Sequence, residues 1–159
     1  MKITVVAVGK LKERYLKEGI AEYVKRLSRF CDLQMVEVED EQAPDSLSSM
    51  QEEQLKKKES ARIIGKLKEG TFLIVLDVKG ARKTSEAFAS TLQNCFITGR
   101  SNISFVIGGS LGLDAELQRK ADLKLSFSDM TFPHQLTRLI LLEQLFRAFK
   151  IINGETYHK

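Results

Sequence analysis

Short apolar runs alternate along this chain with longer amphipathic stretches of helical period. Ile3 to Val8 is apolar except for Thr4, the pattern of a strand buried on both faces. Leu16, Ile20, Tyr23, Val24, Leu27 and Phe30 then fall on one side of a helix. Leu33 to Val38 alternates toward its end and predicts a second strand, and Gln42 to Ser46 forms a polar turn around Pro44. A long charged helix follows, with Ser49 and Glu52 spaced as a capping box and Gly70 just past its end. Phe72 to Leu76 predicts a third strand, Ser85 to Phe96 a helix, Ile103 to Ile107 a fourth strand, and Asp114 to Ala121 a short helix. Leu123 to Phe127 is the fifth strand. Pro133 lacks a backbone N–H and fixes its own φ, so the last helix starts there and Phe132 is held extended.

Strand and helix alternate about five times, which predicts an α/β fold with a mostly parallel sheet and helices on both faces. The 159 residues suit one domain spanning positions 1–159. Ligands of such sheets gather at strand carboxyl ends. Three segments lie there: Leu76 to Gly80, Gly108 to Gly112, and Ser128 to Phe132. The last mixes small, polar and flexible apolar residues, which suits a pocket read largely by main-chain groups.

Composition narrows the class. Hydrophobic residues make up 43% and charged residues 29%, and no apolar run reaches the ~20 residues that span a bilayer. Met1 to Val8 runs at once into Lys10, Lys12, Glu13 and Arg14, unlike a secretory signal, so the expected location is cytoplasmic. Cys31 and Cys95 stand far apart and fit neither a disulfide framework nor a zinc site; two reduced thiols and no metal are expected. The net charge of +4 leans mildly toward polyanionic partners. Acids concentrate between Glu37 and Glu59, whereas Lys10 to Arg14 and Arg138 to Lys159 are mostly basic.

The glycines at 108, 109 and 112 carry two readings. They allow main chain to turn sharply or approach a ligand, as in a nucleotide loop, although Gly-x-Gly-x-x-Gly is absent. They also spell Gly108-x-Ser110-x-Gly112 with Asp129 and His134 downstream, the residue order of a serine hydrolase. Against that reading, the chain is short for such a fold and Asp129 and His134 flank the start of one helix.

Ala7-Val8-Gly9-Lys10-Leu11-Lys12, Phe105-Val106-Ile107-Gly108-Gly109-Ser110-x-Gly112, Leu125 to Gln135 and the ending Tyr157-His158-Lys159 closely resemble the ribosomal large subunit methyltransferase H family of the SPOUT superfamily. The similarity covers essentially the whole chain. It implies S-adenosylmethionine as cofactor, methylation of N3 of a pseudouridine in large-subunit ribosomal RNA, and a carboxyl-terminal trefoil knot. It further implies a cofactor site at Leu76, Gly108, Phe127, Ser128, Asp129, Met130, Thr131 and Phe132. A basic ribosome assembly factor that keeps the pocket without the activity is the non-enzymatic alternative.

The last helix is apolar around most of its circumference, at Leu136, Leu139, Ile140, Leu141, Leu142, Leu145, Phe146 and Phe149, so it needs burial on more than one side. With the resemblance, a homodimer sharing its active sites is expected. Tyr157, His158 and Lys159 offer a ring, a titratable group and a cation, and the resemblance implies that this tail closes over the cofactor and meets RNA. His158, with Tyr157 as rival, is the expected group favouring loss of the N3 proton. Arg138 is expected to hold a phosphate or the target base, and Lys10, Lys12 and Lys159 to contact RNA.

Overall fold

The computed structural model describes residues 1–157. The first half contains β1 (Lys2–Val8), α1 (Arg14–Leu27), β2 (Asp32–Val38), α2 (Ser49–Ile64) and β3 (Phe72–Arg82). It is followed by α3 (Ser85–Ile97), β4 (Asn102–Ile107), α4 (Ala115–Lys120), β5 (Leu123–Ser126) and α5 (His134–Ile152). The five strands form one sheet in the order β2-β1-β4-β3-β5, and every pairing is parallel. The mostly parallel α/β sheet expected from the alternation is therefore present.

Pleating divides the core in two. Ile3, Val5 and Ala7 of β1 face one layer with Phe105, Leu92, Leu141 and Leu145, under α1, α3 and α5. Val6 and Val8 face the other with Val38, Val75, Val106, Ile63 and Leu117, under α2 and α4. Both faces are thus covered, as the apolar runs require. Much of α5's apolar circumference is used within the chain, since the helix lies on the sheet between α1 and α3. Phe30 stacks on Phe149 at 5.5 Å and meets Phe146 edge-on at 5.9 Å.

Several boundaries differ from the expected ones. α2 is capped by Ser48, whose hydroxyl accepts from the Gln51 N–H while the Gln51 side chain accepts from the Ser48 N–H, a capping box one residue earlier than Ser49 and Glu52. The helix ends at Gly65, and Gly70 with φ +71° instead shapes the turn into β3. Pro133 is the N-cap of α5, in extended conformation, and accepts from the Thr137 N–H at 3.0 Å.

β3 is the largest departure: it runs to Arg82 rather than Leu76. Leu76 and Ala81 both pair with Leu125, so residues 77–80 leave the ladder between them and the strand then returns to the same edge of β5. Gly80 makes the return possible, since a Cβ there would lie 2.7 Å from the Lys124 carbonyl carbon.

Candidate functional site

The excursion of β3, the loop after β4 and the loop after β5 meet at the carboxyl edge of the sheet around a cleft of about 430 Å³. That volume lies within the range of small-molecule sites, ~300–1,000 Å³. Adjacent placement of β4, β3 and β5 is what brings the three loops together. Leu76, Val78, Leu113 and Phe127 supply apolar wall, and Lys56, Lys79 and His134 bring the polar rim.

The glycine loop is packed close from behind. A Cβ on Gly108 would come within 3.0 Å of Leu113 Cδ2 and 3.3 Å of the Gly112 carbonyl carbon, and one on Gly109 within 3.0 Å of Val8 Cγ1. Gly112 takes φ +81°, a conformation that favours glycine. Asp114 then caps α4 by accepting from the Leu117 N–H at 3.0 Å. On the facing wall, Asp77 Oδ1 accepts from the Lys79 N–H at 2.9 Å and shapes the excursion.

The segment after β5 presents its main chain. Ser126 Oγ donates to the Ser128 carbonyl at 2.9 Å, and the Met130 N–H donates to Ser128 Oγ at 3.0 Å. Among the described residues, no main-chain partner satisfies the N–H and C=O groups of Ser128 to Phe132. Apart from the Ser128 carbonyl and the Met130 N–H, this main chain beside an apolar cleft offers hydrogen bonds that can read a heterocycle's edge. These features fit S-adenosylmethionine: the glycines leave a bare cradle, Leu76 and Phe127 give apolar contact, and Ser128 to Phe132 supply main-chain donors and acceptors.

Of the expected cofactor residues, Leu76, Gly108, Phe127, Ser128, Met130, Thr131 and Phe132 line the cleft. Asp129 is turned away, with its side chain 76% exposed and its Oδ2 accepting from Arg82 Nη1 at 2.6 Å. That same pairing argues against a hydrolase triad. No hydrogen bond joins Ser110, Asp129 and His134 among the described residues, and no non-glycine residue there has positive φ, so Ser110 lacks the strained turn of a nucleophile elbow.

Arg138 is only 2% exposed. Its guanidinium donates to Glu37 Oε2 at 2.9 Å and to the carbonyls of Val8 at 3.1 Å and Gly9 at 2.8 Å. Nη1 and Nη2 of the guanidinium expected to hold a phosphate or base are committed to protein acceptors, Nε has no hydrogen-bond partner among the described residues, and Arg138 fastens the first turns of α5 to the end of β1. Lys10 and Lys12 are exposed beside the cleft, where the Lys12 N–H donates to Gln135 Oε1 at 2.9 Å. Leu11 adds a second tie, its N–H donating to Glu37 Oε2 at 2.7 Å.

Tyr157 lies elsewhere. Its hydroxyl donates to Glu143 Oε1 at 3.2 Å, its ring meets Phe146 edge-on at 5.0 Å, and Arg147 lies over it. Glu143 stands roughly 14 Å along α5 from His134 at about 1.5 Å per residue, so Tyr157 is remote from the cleft of its own chain. Burial, with Tyr23 and Glu143 beside it, pushes its phenol up to about 12. His158 and Lys159 lie outside the described residues.

His134 and Glu59 carry perturbed proton affinity. His134 is held below the ordinary imidazole range by burial first and by Arg138 next. Burial raises Glu59, whose Oε2 accepts from the Glu41 N–H at 2.9 Å while Oε1 has no hydrogen-bond partner among the described residues. Lys56 and Thr137 in the cleft wall carried no local signal in sequence; α2 and α5 reach the site only through the tertiary fold.

Comparison with known proteins agrees with this geometry. A family model described as predicted SPOUT methyltransferase matches residues 1–158. A protein from Acetivibrio thermocellus named ribosomal RNA large subunit methyltransferase H is 65% identical over 159 residues, covering all of both chains. One of the same name from Ruminiclostridium cellulolyticum is 57% identical, again over the whole of both. Among solved structures, a probable methylase family protein from Haemophilus influenzae Rd KW20 shares the fold with a TM-score of 0.53 and 13% identity, covering 99% of this chain and 70% of that one. With a cleft at the strand ends and a match along nearly its full length, the chain belongs to the SPOUT methyltransferase family.

Proposed function

We propose that this chain transfers a methyl group from S-adenosylmethionine to N3 of a pseudouridine in large-subunit ribosomal RNA, acting as a homodimer. The observation that carries the reading is the 65% identity, over the full length of both chains, to a protein named for methylation of that RNA. The main-chain-lined cleft supports it, and so does the return of β3 to β5 at Gly80, which suits the knotted carboxyl-terminal portion expected of the family.

When bound, S-adenosylmethionine supplies a methyl group activated by its sulfonium. The chain's own residues position the reactants, and alignment supplies much of the acceleration in such a displacement. Leu76 and Phe127 exclude water from the apolar part of the cleft, Gly108 leaves room for the donor, and main-chain groups of Ser128 to Phe132 fix its ring. Lys10, Lys12 and Lys159 neutralise phosphates. Arg138 holds α5 in register with the end of β1, so that His134 and Thr137 keep their places in the wall.

Docking of Tyr157 far from its own cleft supports a shared site, in which the tail with Tyr157 and His158 completes the cleft of the partner subunit. Half-buried Leu136 and Ile140, near the cleft end of α5, remain available to an interface. The test is transfer of labelled methyl to ribosomes lacking the modification, with the labelled nucleotide mapped and the mass measured by light scattering. Label on a pseudouridine from a dimeric protein is the expected result. Cofactor binding without transfer to any ribosomal particle would instead identify an assembly factor.

A further inference from the structure

His134 is the first residue of α5 and lines the cleft beside Thr137. Its Nε2 and the carboxyl carbon of Asp40 each lie 3.9 Å from the point where a Cβ on Gly9 would stand. Both side chains therefore lie close to the turn that ends β1, where Gly9 at φ +89° adds no side chain of its own. Charged groups reach this point from every neighbouring element. Arg138 lies one turn along α5, Lys12 follows β1 and Asp40 follows β2, while Lys56 of α2 and Asp77 of β3 share the cleft wall. Burial, Arg138 and Lys12 all favour the neutral imidazole, and the positive end of α5 acts in the same sense. Asp40 favours the protonated ring. At neutral pH the cleft thus contains an imidazole with a free lone pair and a carboxylate placed to steady the charge it gains.

We propose that His134 accepts the N3 proton of the target base as the methyl group arrives, with Asp40 stabilising the imidazolium across Gly9. The assignment rests on the methyl-transfer reading given above. The N3–H bond breaks and its electron pair forms the N3–CH3 bond. The S–CH3 bond breaks with its pair kept by sulfur, which departs as a neutral thioether. The proton on His134 then passes to water. Tyr157, raised to about 12 and bonded to Glu143, stays protonated and is a poor proton acceptor.

The chain has only two histidines, which makes the test clean. Single-turnover transfer to unmodified ribosomes is followed from about pH 5 to about pH 8.5 for the wild type, His134→Gln, Asp40→Asn and His158→Ala, beside an NMR titration of the His134 ring. The wild-type rate is expected to rise about tenfold per pH unit and to level off at the midpoint of the His134 titration. His134→Gln should remove that limb and lower the plateau by roughly 10²–10⁴-fold at saturating S-adenosylmethionine. Asp40→Asn should move the NMR midpoint and the kinetic limb together to lower pH, and His158→Ala should leave the limb in place. A limb that survives in His134→Gln, or vanishes in His158→Ala, overturns the assignment. Absence of transfer by the wild type overturns the methyl-transfer reading, and the assignment falls with it.

Discussion

Gly80→Ala tests how the cleft wall is built. The added Cβ would stand 2.7 Å from the Lys124 carbonyl carbon and 2.8 Å from both the Leu125 carbonyl carbon and the Lys124 carbonyl oxygen. Relaxed carbon contacts lie at about 3.5–4.0 Å, so β3 and β5 must part by roughly 1 Å. All three obstacles are main chain, and no side chain can rotate to relieve them. Overpacking of this kind costs about 1–3 kcal/mol, and a clash with three main-chain atoms belongs at the upper end, about 3 kcal/mol. For a chain of this length, that lowers Tm by about 6–12 °C. Parting the strands also loosens the pairing of Ala81 with Leu125 and Arg82 with Ser126, so cofactor affinity falls with stability. Gly65→Ala is the control, because Gly65 has helical φ −62° and its nearest atom to an added Cβ lies 3.5 Å away. Denaturant and thermal melts of both variants, with S-adenosylmethionine calorimetry, decide the matter. A Gly80→Ala variant that melts with the wild type and binds equally would refute the close crossing.

Other substitutions probe separate contacts. Arg138→Met removes a buried guanidinium from two carbonyls and Glu37, and is expected to cost about 3 kcal/mol in denaturant melts, since each of the two carbonyls left without its donor costs about 1–3 kcal/mol. Arg82→Ala breaks the exposed pair with Asp129 and should change stability by less than about 1 kcal/mol, while removing Asp129's fixed partner beside the cleft. Glu59 has its folded-state pKa raised above the unfolded value by burial, so its contribution is fully present below about pH 4.3 and is lost as pH rises through the folded value. Melts of the wild type against Glu59→Gln should therefore show the wild type losing relative stability above about pH 4.3; a constant difference would contradict the burial of that carboxylate.

Much of the sheet was legible because two periods are written plainly in the chain. Ile3 to Val8 and Ile103 to Ile107 are apolar on both faces and became the adjacent inner strands β1 and β4. Leu16, Ile20 and Leu27, spaced for one helix face, are all buried. The end of β3 was not legible, since Val78-Lys79-Gly80 has no apolar alternation and its pairing comes from β5, more than 40 residues downstream. Strand order was equally hidden, being set by crossovers that leave no local pattern.

The candidate site divides in the same way. Segments after strands β3, β4 and β5 could be named from topology, because parallel sheets gather ligands at their carboxyl ends. What each side chain does there depends on long-range partners. Asp129 looked like part of the pocket, yet Arg82 draws it outward. Arg138 was expected to hold a phosphate or the target base, whereas its protein acceptors come from β1 and β2, over a hundred positions away. His134 was visible only as a member of an alternative triad; its place near Asp40 beside Gly9 emerges from the fold.

The central claim is that three strand-end loops form the S-adenosylmethionine site, and a heteronuclear NMR titration with that cofactor tests it most directly. Saturable shifts concentrated in the amides of residues 76–79, 108–112 and 127–132 are the expected result. Saturable shifts confined to another surface, or no shifts at millimolar cofactor, would contradict the account.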